Sequence, residues 1–194
     1  MDIPRPPARQ QFPPDAKKVF RGVLFDVYQW EQALFDGSKA TYERLRRGDS
    51  IVVLPVTEQG TILISRERQP GTPLFTTVTC GGIEPGEAPD VAALRELREE
   101  TGYEPNELDF WFAHQVEGRI DWAIYVFIAR GCRKVVEANP GGGEEIAIQE
   151  VSFDEFLRAA TADDFQTINI APKLLAAVLD PQAMIALKKR LGVQ

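Results

Sequence analysis

The sequence predicts an α+β fold in which helices cover a central mixed sheet, preceded by an N-terminal antiparallel β-region. Three observations predict it. Short β-rich runs are interleaved with few helical ones, in no regular alternation. Ile51-Val52-Val53-Leu54-Pro55-Val56 is a continuous apolar run, the pattern of a strand buried on both faces. Residues 81–103 join a Gly-rich turn to one strongly charged helix.

The elements follow in order. Residues 1–18 form an extended or mobile arm, with five prolines in the first 16 positions. Residues 19–48 hold two or three antiparallel strands: the β-rich stretch 23–28, then 30–35, a hairpin turn at Asp36-Gly37 and a return strand over 38–47. Residues 49–194 form the main domain. Its first strand, 51–56, turns at Gln59-Gly60 into 61–65, and 74–79 leads into the Gly-rich loop. A helix over 90–101 opens at Pro89 or Asp90 and stops at Gly102. Its Ala93, Leu94 and Leu97 form a packing face. Further strands are 108–116, 120–129 and 146–151. Ser152 and Glu155 form a capping box for the next helix, and helices near 171–179 and 182–190 finish the chain.

Composition excludes several classes. With 44% hydrophobic and 26% charged residues, a chain of 194 residues can bury a full core. A net charge of −7 argues against nucleic acid as the main partner. No apolar run approaches the roughly 18 residues of a membrane span, and the N-terminus lacks the apolar segment of a secretory signal. Cys80 and Cys132 make no disulfide framework, so the cytoplasm is the expected compartment.

The chemistry lies in Gly81-x5-Glu87-x7-Arg95-Glu96-Leu97-x-Glu99-Glu100-x-Gly102-Tyr103. Carboxylates three and four apart on a helix repel, costing ~0.2–0.5 kcal/mol per pair. A hard divalent cation repays that crowding, because Mg²⁺ takes oxygen ligands, usually one or two carboxylates plus substrate phosphates. Arg95 can reach both Glu99 and Glu87, which suits an orienting role behind metal ligands.

This segment resembles the signature of the Nudix hydrolases at every defined position. The resemblance implies an α/β/α sandwich and a loop–helix–loop that binds Mg²⁺ (or Mn²⁺) against a diphosphate. It implies Glu96, Glu99 and Glu100 as metal ligands, with Glu99 also in a catalytic role, and the carbonyl of Cys80 completing the site. Gly81 provides the sharp turn, Glu87 and Arg95 support the ligands, and Gly102 ends the helix. The β-region before the core and the acidic loop Asn139-Pro140-Gly141-Gly142-Gly143-Glu144-Glu145 look like the branch that hydrolyses ADP-ribose and other nucleotide sugars.

In that branch a loop glutamate handles the attacking water, a role that falls to Glu144, or to Glu145 one position on. Arg68 falls where the branch has a substrate-contacting arginine. Trp30 and Phe35 are candidates for stacking on the base, and Arg44, Arg46 and Arg47 for contacting phosphate. The branch's dimers imply a homodimer through the aromatic-rich β-region. Three departures concern the substrate: Thr77-Val78-Thr79-Cys80 precedes the signature glycine, Glu117-Gly118 stands where ADP-ribose-specific members carry a proline, and the Asp121-Trp122 region replaces a glutamate often found in the strand that follows. The alternatives are another diphosphate substrate (a GDP-sugar, dinucleoside polyphosphate or nucleotide) and a nucleotide-binding sensor without turnover. The intact glutamates weigh against the sensor.

Overall fold

The computed structural model describes residues 1–116, 118–141 and 143–193; Glu117 and Gly142, named above, lie outside them. The described residues form two sheets and four α-helices. The smaller sheet runs β1 (Lys17–Arg21), β2 (Asp26–Ala33), β3 (Lys39–Arg46) and β10 (Ile120–Asp121). The larger is built on β12 (Glu145–Val151), β5 (Ile62–Arg68), β4 (Ser50–Thr57), β11 (Ala123–Lys134) and β8 (Tyr103–Glu104). β6 (Phe75–Thr77) joins it on β5, β7 (Thr79–Gly82) on β4 and β9 (Glu107–Gln115) on β11. β4 and β11 are parallel and the other pairings in this sheet are antiparallel, so it is mixed.

Alternation along β4 explains why its run is apolar throughout, since successive side chains point to opposite faces. Ile51 and Val53 pack on α1 (Pro89–Thr101) through Ala92, Ala93 and Leu97. Val52, Leu54 and Val56 face α2 (Phe153–Ala159), α3 (Ala171–Leu179) and α4 (Pro181–Leu191), meeting Phe156, Leu174 and Leu187. Helices on both faces of one sheet make an α/β/α sandwich. Among the described residues no helix is long and apolar enough to cross a membrane.

Several boundaries differ from those expected. The stretch 23–28 is split, because Gly22 and Phe25 close a tight turn that leaves Val23 and Leu24 exposed. The expected strand 120–129 also breaks, at Trp122. Ile120 and Asp121 pair with β3, and β11 starts at Ala123 in the other sheet. The stretch 74–79 divides at Val78 between β6 and β7, which carries the strand through Gly81 and Gly82. Leu94 is exposed, not packed; Ala92 takes that place. α2 has the capping box read from Ser152 and Glu155.

The N-terminal arm is extended and fastened. Arg5 bonds Asp49 and Asp121, Gln115 donates to the Pro6 carbonyl, and Phe12 packs on Tyr28 and Trp30. Asp121 also accepts from Arg46, so one buried carboxylate of β10 joins the arm to β3.

Candidate functional site

β7 delivers the chain to α1 with Cys80 opposite Val52 and Gly81 opposite Ile51. Gly81 is a glycine for a measurable reason: a Cβ there would lie 2.0 Å from Cδ of Glu96. Pro89 occupies the first turn of α1, and Gly102 ends it at φ 77°, donating to the Arg98 carbonyl. A Cβ on Gly102 would also strike the Val136 carbonyl at 2.2 Å.

The helix therefore presents its acids at a fixed height, and Arg95 organises three of the motif's acids. Its Nε and Nη2 grip the two oxygens of Glu87, its Nη2 also reaches the Gly82 carbonyl, and its Nη1 bonds Glu96 at 2.8 Å and Glu99 at 3.3 Å. Arg95 hydrogen bonding holds the Glu87 carboxyl below the usual range, whereas burial pushes Glu96 up. Glu100 stands apart from this clamp. It is 7% exposed, and its Oε2 has no hydrogen-bond partner. Burial, followed by the nearby charges of Glu67, Glu96 and Glu144, pushes its pKa up to about 9.

Glu100 lines a cleft of about 330 Å³ shared with Glu67, Gln69, Thr77, Cys80, Arg47, Trp122 and Glu144. Glu96 and Glu99 line a second hollow on the outer side of α1, and Glu144 and Gln69 border both. Gln69 Nε2 donates to Glu144 Oε1 at 3.0 Å. Among the described residues no three acids, cysteines or histidines form a ready cage for an ion. The donor set nevertheless suits a hard cation: a buried oxygen without a partner on Glu100, and further carboxylates facing the same cleft.

Arg47 is the cation in the cleft wall. Its guanidinium lies 4.1 Å from the centroid of the Trp122 ring, and its buried Nε lacks a hydrogen-bond partner. Trp122 is fixed in turn by donating from Nε1 to Ser50 Oγ at 3.0 Å.

Other sequence-derived candidates lie elsewhere, each for a physical reason. Arg68 is the last residue of β5 and bonds Glu145, its register partner on the edge strand β12; both side chains are exposed outside the cleft. Glu144 lines the cleft and Glu145 does not. Trp30 is buried at 6% exposure with Phe12 against it, so it offers no open face for a base. Arg44 is buried at 2%, donates to the Ile120 carbonyl and lies under Phe12. Phe35 is fully exposed next to the hairpin turn. The Cys80 thiol is pushed up to about 12 by burial and donates to the Val78 carbonyl.

Sequence reasoning passed over Glu67 and Gln69. The signal was period-two alternation: if Arg68 faces outward, its neighbours face inward, and β5 continues three residues past the expected end at 65.

Comparison with known proteins agrees with this architecture. The chain is 29% identical over 145 residues to an ADP-ribose pyrophosphatase of Bacillus subtilis (strain 168), covering 73% of this chain and 78% of that protein. A GDP-mannose pyrophosphatase of Enterobacter sp. (strain 638) is 27% identical over 157 residues, covering 76% and 81%. The ADP compounds hydrolase NudE of Escherichia coli (strain K12) is 34% identical over 99 residues, covering 50% and 53%. A crystal structure of an ADP compounds hydrolase shares the fold, with a TM-score of 0.73 at 22% identity over 92% of this chain and 94% of that one. The family model for the NUDIX domain matches residues 46–171, which take in β4, the glutamate-bearing helix and the acidic loop, and the chain belongs to that family.

Proposed function

We infer that this Nudix enzyme hydrolyses a nucleoside diphosphate joined to a second moiety, ADP-ribose or another nucleotide sugar, to a nucleoside monophosphate and a sugar phosphate. The observation that carries the reading is Glu100, a buried acid whose unpartnered Oε2 borders a cleft with Arg47 in its wall. Such an oxygen is the donor that a divalent cation completes, and Mg²⁺ (or Mn²⁺) is the ion proposed.

When bound, the divalent ion lowers the pKa of water and neutralises charge on the diphosphate. Glu100, Glu96, Glu99 and the Cys80 carbonyl are the proposed donors. Arg95 orients Glu96 and Glu99 through its hydrogen bonds. Glu144 is the proposed base: Gln69 holds one of its oxygens at the cleft's edge, where the acid can take a proton from water. Arg47, backed by Trp122, offers an N–H donor to a phosphate oxygen.

A GDP-sugar is the second reading, favoured by the GDP-mannose pyrophosphatases that align over most of this chain. A homodimer through the small sheet is proposed because β1 is wholly exposed, and Val19, Phe20, Val23, Leu24 and Phe35 have no cover. A cytoplasmic setting goes with this reading.

The deciding experiment incubates the enzyme and Mg²⁺ with ADP-ribose, ADP-glucose and GDP-mannose, then adds phosphatase and measures released phosphate. The expected result is phosphate only where metal, enzyme and one of these compounds are together. Glu100→Gln should be slower by about 100-fold or more, the scale of losing one strong electrostatic stabiliser. Equal turnover in excess chelator would overturn the reading.

A further inference from the structure

The clamp of Arg95 divides the acids of the site into two groups. Glu87, Glu96 and Glu99 each have this cation beside them. Among the described residues no ion pair reaches Glu67 or Glu100. Yet both are more than nine-tenths buried, at 6% and 7% exposure, and both line the same cleft. Two buried carboxylates lining one cleft with no ion-pair partner are costly, because their mutual repulsion grows as water is excluded.

Glu67 is also aimed. Ser65, two residues earlier on the same face of β5, donates from Oγ to Glu67 Oε1 at 2.5 Å and lies next to the Thr77 carbonyl. That bond fixes one carboxylate oxygen, and no described hydrogen bond engages Oε2. On the opposite side of the cleft, Glu100 Oε2 is a buried oxygen without a partner. The two acids come from separate elements, β5 and α1, and turn toward one space. A structural acid at position 67 would be expected to have a basic neighbour, and none of the described ion pairs provides one.

We propose that Glu67 is a second carboxylate ligand for the divalent ion at Glu100, supplied by β5 and lying outside the glutamate-rich helix. This rests on the reading of Glu100 as a metal donor. Two carboxylates, with waters and diphosphate oxygens in the remaining positions, meet the usual demand of Mg²⁺. Ser65 is then a positioning residue, holding Glu67 Oε1 so that Oε2 faces the ion. Glu144 borders the same space and is left free for the water.

The test is Mn²⁺ binding without nucleotide, followed by the loss of the free-ion paramagnetic resonance signal. Parent, Glu67→Gln, Glu67→Asp, Glu100→Gln and the surface control Glu31→Gln are titrated, each after confirming its thermal transition in chelator. Glu67→Gln should weaken the tightest site by at least about 10-fold, since even partners behind a ligand cost 10- to 100-fold. Glu67→Asp keeps the charge but draws the oxygen back by one methylene. It should weaken binding too, whereas a mere field effect would leave it at the parent's value. If Glu67→Gln does not fold, Glu67→Asp decides alone. A Glu67 variant that folds and binds Mn²⁺ like the parent, while Glu100→Gln does not, overturns the role of Glu67 and leaves the metal reading intact. Parent-like binding by Glu100→Gln as well overturns both.

Discussion

Gln69 and Glu144 are joined across the mouth of the cleft by a 3.0 Å hydrogen bond, while their neighbours Arg68 and Glu145 are joined to each other on the outer surface. The register of β5 with β12 sets Glu145 opposite Arg68 at the ends of the two strands, and Gln69 and Glu144, just beyond those ends, line the cleft. The structure thus distinguishes two adjacent glutamates that the sequence left equivalent.

Kinetics should distinguish them in the same way. Glu144→Gln is expected to lower kcat by about 100-fold or more, the scale of a lost general base, with KM and metal affinity nearly unchanged. Gln69→Ala should lower kcat less, and Glu145→Gln should match the parent. Steady-state kinetics on the preferred nucleotide sugar decides the matter. A defect in Glu145→Gln with a normal Glu144→Gln would reverse the assignment.

A pH-dependent stability should be visible in chelator. Burial, with the charges of Glu67, Glu96 and Glu144, raises the Glu100 pKa to about 9, so the metal-free folded chain keeps a proton that the unfolded chain releases near its ordinary 4.5. Where the folded state binds more protons, stability falls as pH rises, by at most ~1.4 kcal/mol per pH unit for one group. Thermal melts of the parent in chelator should therefore decline between about pH 5 and pH 9. Glu100→Gln should lack that part of the slope, and added metal should reverse the decline. A parent and variant with parallel profiles would refute it.

Gly81→Ala tests the contact between strand and helix. The added methyl displaces Glu96 from its place beside Arg95, since the closest side-chain atom stands 2.0 Å from it. Metal affinity is expected to fall by about 10- to 100-fold, as when a ligand's support is lost. Calorimetric titration with Mn²⁺ measures it, and an unchanged isotherm would show that Glu96 accommodates the methyl without cost.

The arm's anchorage should respond to acid. Burial raises the Asp121 pKa, but hydrogen bonds from Arg46 and Arg5 outweigh it and the net shift is downward. A depressed carboxylate stabilises the fold above its unfolded pKa, and that contribution is lost as pH falls through the folded value. Arg5→Ala should cost roughly 1 kcal/mol at neutral pH, at the low end for a charged hydrogen bond because Arg5 is 41% exposed. Urea melts should show the deficit shrinking below about pH 4. A deficit independent of pH would assign the loss to packing.

The legible part of the sequence was local. The apolar run of β4, the capping box of α2, the Asp36-Gly37 turn and the spacing of acids on α1 each depend on residues close in the chain. What escaped depends on partners far along it. Trp122 divides two strands because Asp121 is held by Arg5 and Arg46, 116 and 75 residues away. Trp30 and Arg44 read as open to substrate until Phe12, from an arm expected to be extended or mobile, is seen against both. Glu67 was hidden by its own neighbour, since a stretch of alternating arginines and glutamates reads as solvated charge until the strand's faces are assigned.

Cys80 puts a sulfur beside a site that depends on oxygen donors, and the fold keeps that sulfur chemically quiet. Its thiol lies near Thr77 and Thr167, points to the Val78 carbonyl, and has its pKa pushed up to about 12. At neutral pH the nucleophilic thiolate is therefore scarce, and peroxides and alkylating agents need that form. Alkylation or peroxide oxidation of Cys80 at neutral pH should therefore be slow in the folded chain, although the residue lines the cleft.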